Sequence, residues 1–280
     1  MKLFENYQKF LEHHEVTTYN FMDEKITYRF FGQGEKVILM LLGSSMFSSE
    51  AYFKLFEELE NGYKILTINY SKTIQKIDEF MSVVIQVLDI LKINHVYLLG
   101  ASHGGGLAQV FAKNYPNRVI GLMLYNTLTN TKLMNNQSKE IINQVLTAIE
   151  ELKELRKIMP LNQIKSALLN QIEESLLDKN DIEFFEYLIS KYDEKDEQIQ
   201  MFMIKDLLAN YEFELEDFNY LNDKVLILYG HDDDPFGGTE LIESLVELMP
   251  KSKLSFIESD RFSLVLDSHQ FAKEIKEFIK

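Results

Sequence analysis

Short apolar runs dominate the first half of the chain. Val37–Leu42, 64–69, 95–99 and Val119–Tyr125 are separated by stretches at 50–59, 73–91 and 104–115 whose apolar residues recur at helical spacing. A short, continuous apolar run suits a strand buried on both faces. Strand and helix in alternation require parallel pairing, because each crossover must carry the chain back along the sheet. The last of these helices ends at Asn114-Tyr-Pro-Asn117, where proline forbids continuation. Ahead of the alternation, 16–21 and 26–31 flank Met22-Asp-Glu-Lys25 and read as a hairpin at one edge.

Residues 127–222 have a different character, with one proline (Pro160) and no glycine. Helical spacing is visible near 136–158, 161–177, 181–192 and 195–210. Strand patterns return at 225–229 and 254–257, with a helix near 239–249 between them and a closing helix over 268–279. A stretch of about 95 residues is too long for a plain connection. The expected architecture is an α/β core with a mostly parallel central sheet and flanking helices, residues 1–126 and 223–280, with a helical cap inserted over 127–222.

Forty-four acids against 29 bases give a net charge of −15. A polyanion is repelled by such a field, and the basic residues are scattered, so neither nucleic acid nor an anionic membrane is an expected partner. The longest apolar runs stop at about seven residues, against the ~20 that a spanning helix needs. There is no cysteine, which removes disulfides, thiolate nucleophiles and cysteine-based metal sites. With no apolar leader pattern in the first residues, the expected location is cytoplasmic. The expected partner is a small molecule.

The chemistry is concentrated in Leu98-Leu-Gly-Ala-Ser-His-Gly-Gly-Gly106. Gly100-x-Ser102-x-Gly104 directly follows a buried strand and precedes a helix. A strand-to-helix turn this tight excludes side chains two residues either side of the serine, where strand and helix pack. It exposes the serine oxygen and aims the first N–H groups of the helix at the site, which favours developing negative charge. Gly105 and Gly106 suit close packing of that helix on the sheet. A phosphate-binding turn is the alternative, but no lysine follows and no G-x-G-x-x-G opens the helix.

These residues, the Asn114-Tyr-Pro-Asn-Arg118 helix end, the helical insertion and Leu228-Tyr-Gly-His-Asp-Asp-Asp-Pro235 resemble the α/β-hydrolase superfamily over nearly the full chain. The resemblance implies that Ser102 is a nucleophile and the insertion a cap. It implies no cofactor and no metal. Serine in the elbow, where dehalogenases and epoxide hydrolases carry aspartate, implies acyl chemistry. One oxyanion-hole donor would be the N–H of His103. The other would be the N–H of Ser45 in Gly43-Ser-Ser-Met46, where relatives usually carry His-Gly at the start. The acid is implied three residues beyond Gly230, at Asp233, with Asp232 and Asp234 as neighbouring alternatives.

The base is where this chain departs. The resemblance implies a histidine about 28 residues past the acid, and position 261 is arginine. Arginine stays protonated and offers only donors; it would pair with Asp233. His269, which opens the final helix, is the candidate substitute base, its other reading being a surface residue at a helix start. His103 and His231 adjoin the site in sequence, whereas His13, His14 and His95 lie away from it. Two functions follow: a serine esterase or thioesterase of weak or atypical activity, acting through Ser102, Asp233 and His269; or an impaired hydrolase-fold protein, with Arg261 at the base position, that binds a ligand or protein partner.

Overall fold

Alternate residues of one strand serve two different layers. In a computed structural model of the chain, Leu39 and Leu41 join one buried cluster while Ile38, Met40 and Leu42 join another on the opposite face, as the two-residue period of a strand dictates. The structure describes residues 2–21, 24–42, 47–69, 73–175, 179–230, 239–258 and 262–280.

In chain order the elements of the first half are α1 (Leu3–His13), β1 (Thr17–Phe21), β2 (Glu24–Gly32), β3 (Val37–Leu42), α2 (Phe53–Leu59), β4 (Lys64–Ile68), α3 (Ile77–Ile90), β5 (Val96–Ala101), α4 (His103–Asn114) and β6 (Val119–Tyr125). The insertion supplies α5 (Asn136–Arg156), α6 (Leu161–Ser175), α7 (Lys179–Lys191) and α8 (Glu194–Asn210). The chain then returns through β7 (Val225–Gly230), α9 (Glu240–Leu248), β8 (Lys253–Ile257), α10 (Ser263–Leu266) and α11 (His269–Ile279).

Among the described residues, eight strands form one sheet in the order β1-β2-β4-β3-β5-β6-β7-β8. β1 and β2 form the expected antiparallel edge hairpin, β2 pairs antiparallel with β4, and every later pairing is parallel. From β3 the chain steps outward to β4 and then crosses back to β5 on the other side. Strand order therefore reverses between β3 and β5, and a crevice opens at the carboxyl ends of strands where this happens. Ser102 follows β5 at that point.

The insertion grips both layers. Ile199, Met203 and Leu207 of α8 join the cluster built with α3, α4 and α9, while Phe184, Phe185 and Leu188 of α7 join the one built with α1, α2 and α11. Its two ends are tied together: Thr131 bridges Phe213, and Asn130 Nδ2 donates to the carbonyls of Leu208 (3.2 Å) and Tyr211 (2.8 Å) at the end of α8. Within it, Arg156 of α5 donates to Glu197 (2.9 Å) and Glu194 (2.7 Å) of α8. Among the described residues no helix is long and apolar enough to cross a membrane.

Candidate active site

β5 ends at Ala101 and α4 begins at His103, so a single residue makes the turn. Ser102 makes it with φ 52° and ψ −131°, a conformation that costs a non-glycine residue about 1–3 kcal/mol and persists only where its surroundings impose it. Here they do. The Ser102 N–H donates to the Tyr125 carbonyl at 3.1 Å. The Ser102 carbonyl accepts from the Gly105 N–H at 3.1 Å and from the Thr127 hydroxyl at 2.5 Å.

Glycine is required around this turn for steric reasons. A Cβ on Gly100 would lie 2.5 Å from Gly105 Cα and 2.8 Å from Ala108 Cβ, and one on Gly105 would collide with the Thr127 side chain. The third glycine of the run differs from expectation. A Cβ on Gly106 would meet Leu207 of α8, so this position admits the insertion and not the sheet. His103 is the first residue of α4, the position directly after the nucleophile from which such a turn takes an oxyanion donor.

β6 delivers two polar residues, Asn126 and Thr127, that motif reasoning missed. Thr127 holds the serine turn as described. Asn126, buried and at φ 36°, faces the other way: its Nδ2 donates to the Gly230 carbonyl at 2.7 Å and its Oδ1 accepts the Gly230 N–H at 3.0 Å. β7 ends at Gly230, the last residue before 231–238. The adjacent pair thus fixes both the nucleophile turn and the point from which the expected acid departs. The only signal in the sequence was a pair of polar residues directly after an apolar strand.

Asp233 and its alternatives Asp232 and Asp234, Ser45, Arg261 and His231 lie outside the described residues. His269 requires correction. Its ring Nδ1 lies 3.3 Å from Glu58 Oε1 on α2, and the side chain is 77% exposed, so the opening turn of α11 faces solvent and engages α2 instead of Ser102. His14 is hydrogen-bonded to the Phe10 carbonyl and Glu60, His13 to the Lys9 carbonyl, and His95 is exposed just before the amino end of β5. His103 is buried, and desolvation pushes its imidazole down to about 4. It is neutral at pH 7, and its protonated form is too costly for it to serve as an effective general base.

Beside the elbow lies a cavity of about 370 Å³. Met40, Leu42, Ile68 and His103 line its core side, and Leu188 and Ile199 its insertion side. Phe184, Phe185 and Met203 of the insertion do not line it: they are packed in the core, and Phe202 is 41% exposed. The Phe185 ring packs at a tilt against those of Phe47 (5.4 Å) and Phe262 (4.9 Å). One residue of the insertion thereby touches the neighbours of both the 43–46 segment and Arg261. Among the described residues no group of three or more His, Asp or Glu side chains could hold a metal.

Comparison with known proteins bears on the fold. A family model described as the alpha/beta hydrolase fold matches residues 36–267. An uncharacterized hydrolase of Bacillus subtilis (strain 168), YcgS, is 27% identical over 139 residues, 47% of this chain and 48% of the relative; the match thus spans about half the length of each. Among solved structures, one from work on carboxylesterases of the ammonia-oxidizing thaumarchaeon Nitrososphaera gargenis superposes with a TM-score of 0.71 at 14% identity, covering 94% of this chain and 97% of that one. A thioesterase domain from the curacin biosynthetic pathway superposes with a TM-score of 0.63 at 17% identity, covering 94% and 99%. At these identities the likeness is one of fold.

Proposed function

The chain belongs to the α/β-hydrolase family, and from that premise we propose that it hydrolyses small carboxylic esters or thioesters through Ser102. The observation that carries this reading is the imposed positive φ of Ser102 at the strand-to-helix turn. No packing requirement of a simple crossover calls for that conformation, and presentation of a nucleophile does. A carboxylesterase study and a thioesterase domain among the proteins of like fold support the acyl class.

In the reaction the Ser102 oxygen bonds to the carbonyl carbon, and the carbonyl electrons move onto oxygen. That oxygen faces the His103 N–H and the positive end of α4, with the Ser45 N–H as second donor. Collapse expels the alcohol or thiol, which takes up a proton, and water then releases the acid from Ser102. Residues 127–222 act as a cap that shapes the cavity. A cysteine-free chain gains nothing from an oxidising compartment, and we place its work in the cytoplasm.

Arg261 limits the rate. A permanent cation cannot accept the serine proton, so water is left to take it, and catalysis falls to what positioning and the oxyanion hole supply, about 10³–10⁴ over the uncatalysed reaction. The second reading, a capped binding protein that has lost efficient chemistry, is favoured by this arginine together with the engagement of His13, His14 and His269 elsewhere. Turnover of p-nitrophenyl butyrate separates the two. Slow hydrolysis that disappears in Ser102→Ala supports the first reading, and identical rates for both proteins support the second.

A further inference from the structure

The cavity beside the elbow inverts the sign of the protein around it. Its lining includes Lys25 from β2 and Lys191 from the end of α7, one ammonium from the core and one from the insertion. Both are exposed. Lys191 Nζ sits 4.9 Å from the Tyr187 ring centroid, and among the described residues neither lysine pairs with a carboxylate. In a chain with 44 acids and 29 bases, two cations left without carboxylate partners at one cavity are conspicuous.

The carboxylate in the lining does not cancel them. Asp196 is committed to the start of α8, where its Oδ2 accepts the Asp193 N–H at 2.9 Å as half of a capping box, and the helix amino end offsets its charge. His103 contributes no charge at neutral pH, as argued above. The remaining polar lining is neutral and ordered: Asn69 Nδ2 donates to Thr27 Oγ1 at 3.0 Å, and Ser49 Oγ donates to Asn69 Oδ1 at 3.4 Å. Thr27, which accepts there, keeps its own hydroxyl proton to give.

We propose that Lys25 and Lys191 form an anion subsite for the far end of the substrate, so that the preferred ester or thioester is one of a short acid bearing a second carboxylate. This rests on the hydrolase reading of Ser102. The apolar wall of Met40, Leu42 and Ile68 takes the short carbon chain, and the two ammonium groups take the distal carboxylate. Lys25 belongs to β2 and Lys191 to α7 of the insertion, so the subsite is complete only with the insertion in place. Two exposed ion contacts are together worth on the order of tenfold in affinity at low salt.

Calorimetric titration of Ser102→Ala protein with monomethyl glutarate and dimethyl glutarate tests this, since no turnover intervenes. The monoanion is expected to bind about tenfold more tightly than the neutral diester at low salt. That advantage should vanish in Lys25→Ala/Lys191→Ala protein and shrink in 0.5 M sodium chloride. Equal binding of the two esters, an advantage that survives loss of both lysines, or no binding of either ester overturns the proposal. Melting temperature confirms that the variants are folded, and a Lys25→Gln/Lys191→Gln pair repeats the test with less change in side-chain bulk. Failure of the hydrolase reading is separately visible, as absence of Ser102-dependent p-nitrophenyl butyrate turnover in the unmodified protein.

Discussion

The Thr127 hydroxyl donates to the Ser102 carbonyl oxygen at 2.5 Å, joining the end of β6 to the turn that presents the nucleophile. Thr127→Val keeps the shape and removes the donor, leaving that carbonyl one partner short. It should lower unfolding free energy by about 1–2 kcal/mol. Gly105→Ala, which drives a methyl group into Thr127, should cost about 1–3 kcal/mol by overpacking. Urea denaturation of both variants measures this, and wild-type stability in each would contradict the assigned contacts.

Asn126 does for Gly230 what Thr127 does for Ser102, through two buried hydrogen bonds at 2.7 and 3.0 Å. Asn126→Gly tolerates the positive φ but strands both Gly230 groups; Asn126→Ala adds backbone strain to that loss. The glycine variant should cost about 1–3 kcal/mol, and the alanine variant more. Equal stability of the two would show that φ 36° carries no penalty here.

Burial depresses the His103 pKa to about 4, below its unfolded value of about 6.5. The unfolded chain therefore takes up this proton first on acidification. The stability that His103 confers is complete above about pH 6.5 and is lost as pH falls toward 4, amounting to about 3 kcal/mol across that window. Glu58 and Glu274, held below the usual carboxylate range against desolvation by hydrogen bonds to His269 and Lys276 and to Lys253 and Ser255 respectively, act at lower pH. Denaturation midpoints between pH 7 and 4.5 should slope downward in the wild type and flatten in His103→Gln. Parallel slopes would contradict the assignment.

Arg261→His supplies an acceptor where the family resemblance places one. Loss of a triad histidine costs about 10⁶ in turnover, and a replacement that recovers even part of it should raise p-nitrophenyl butyrate hydrolysis at least about a hundredfold. The gain should vanish in Arg261→His/Ser102→Ala. A gain that survives loss of the serine would place the chemistry elsewhere.

The strands and the elbow were legible because their signals are local. A buried strand is a run of apolar residues, and a nucleophile turn needs glycine within two positions of the serine. What escaped depends on distant partners. The α3 pattern begins near residue 73, yet the helix starts at Ile77, whose N–H is capped by Asp206 of the insertion at 2.8 Å. Gly106 reads as sheet packing but accommodates Leu207, one hundred and one residues away. His269 sits at an acceptable sequence distance from the site, and only the direction of the first turn of α11 reveals that it faces Glu58. Asn126 and Thr127 belong to no motif, because their role exists only once β5, β6 and β7 lie side by side.

The most direct test is covalent: treatment of the folded protein with a fluorophosphonate, followed by intact-mass and peptide mapping. The account predicts a single slow adduct on the peptide carrying Ser102, absent in Ser102→Ala. An unmodified Ser102 in protein whose melting transition is intact, or equal modification of the alanine variant, would contradict it.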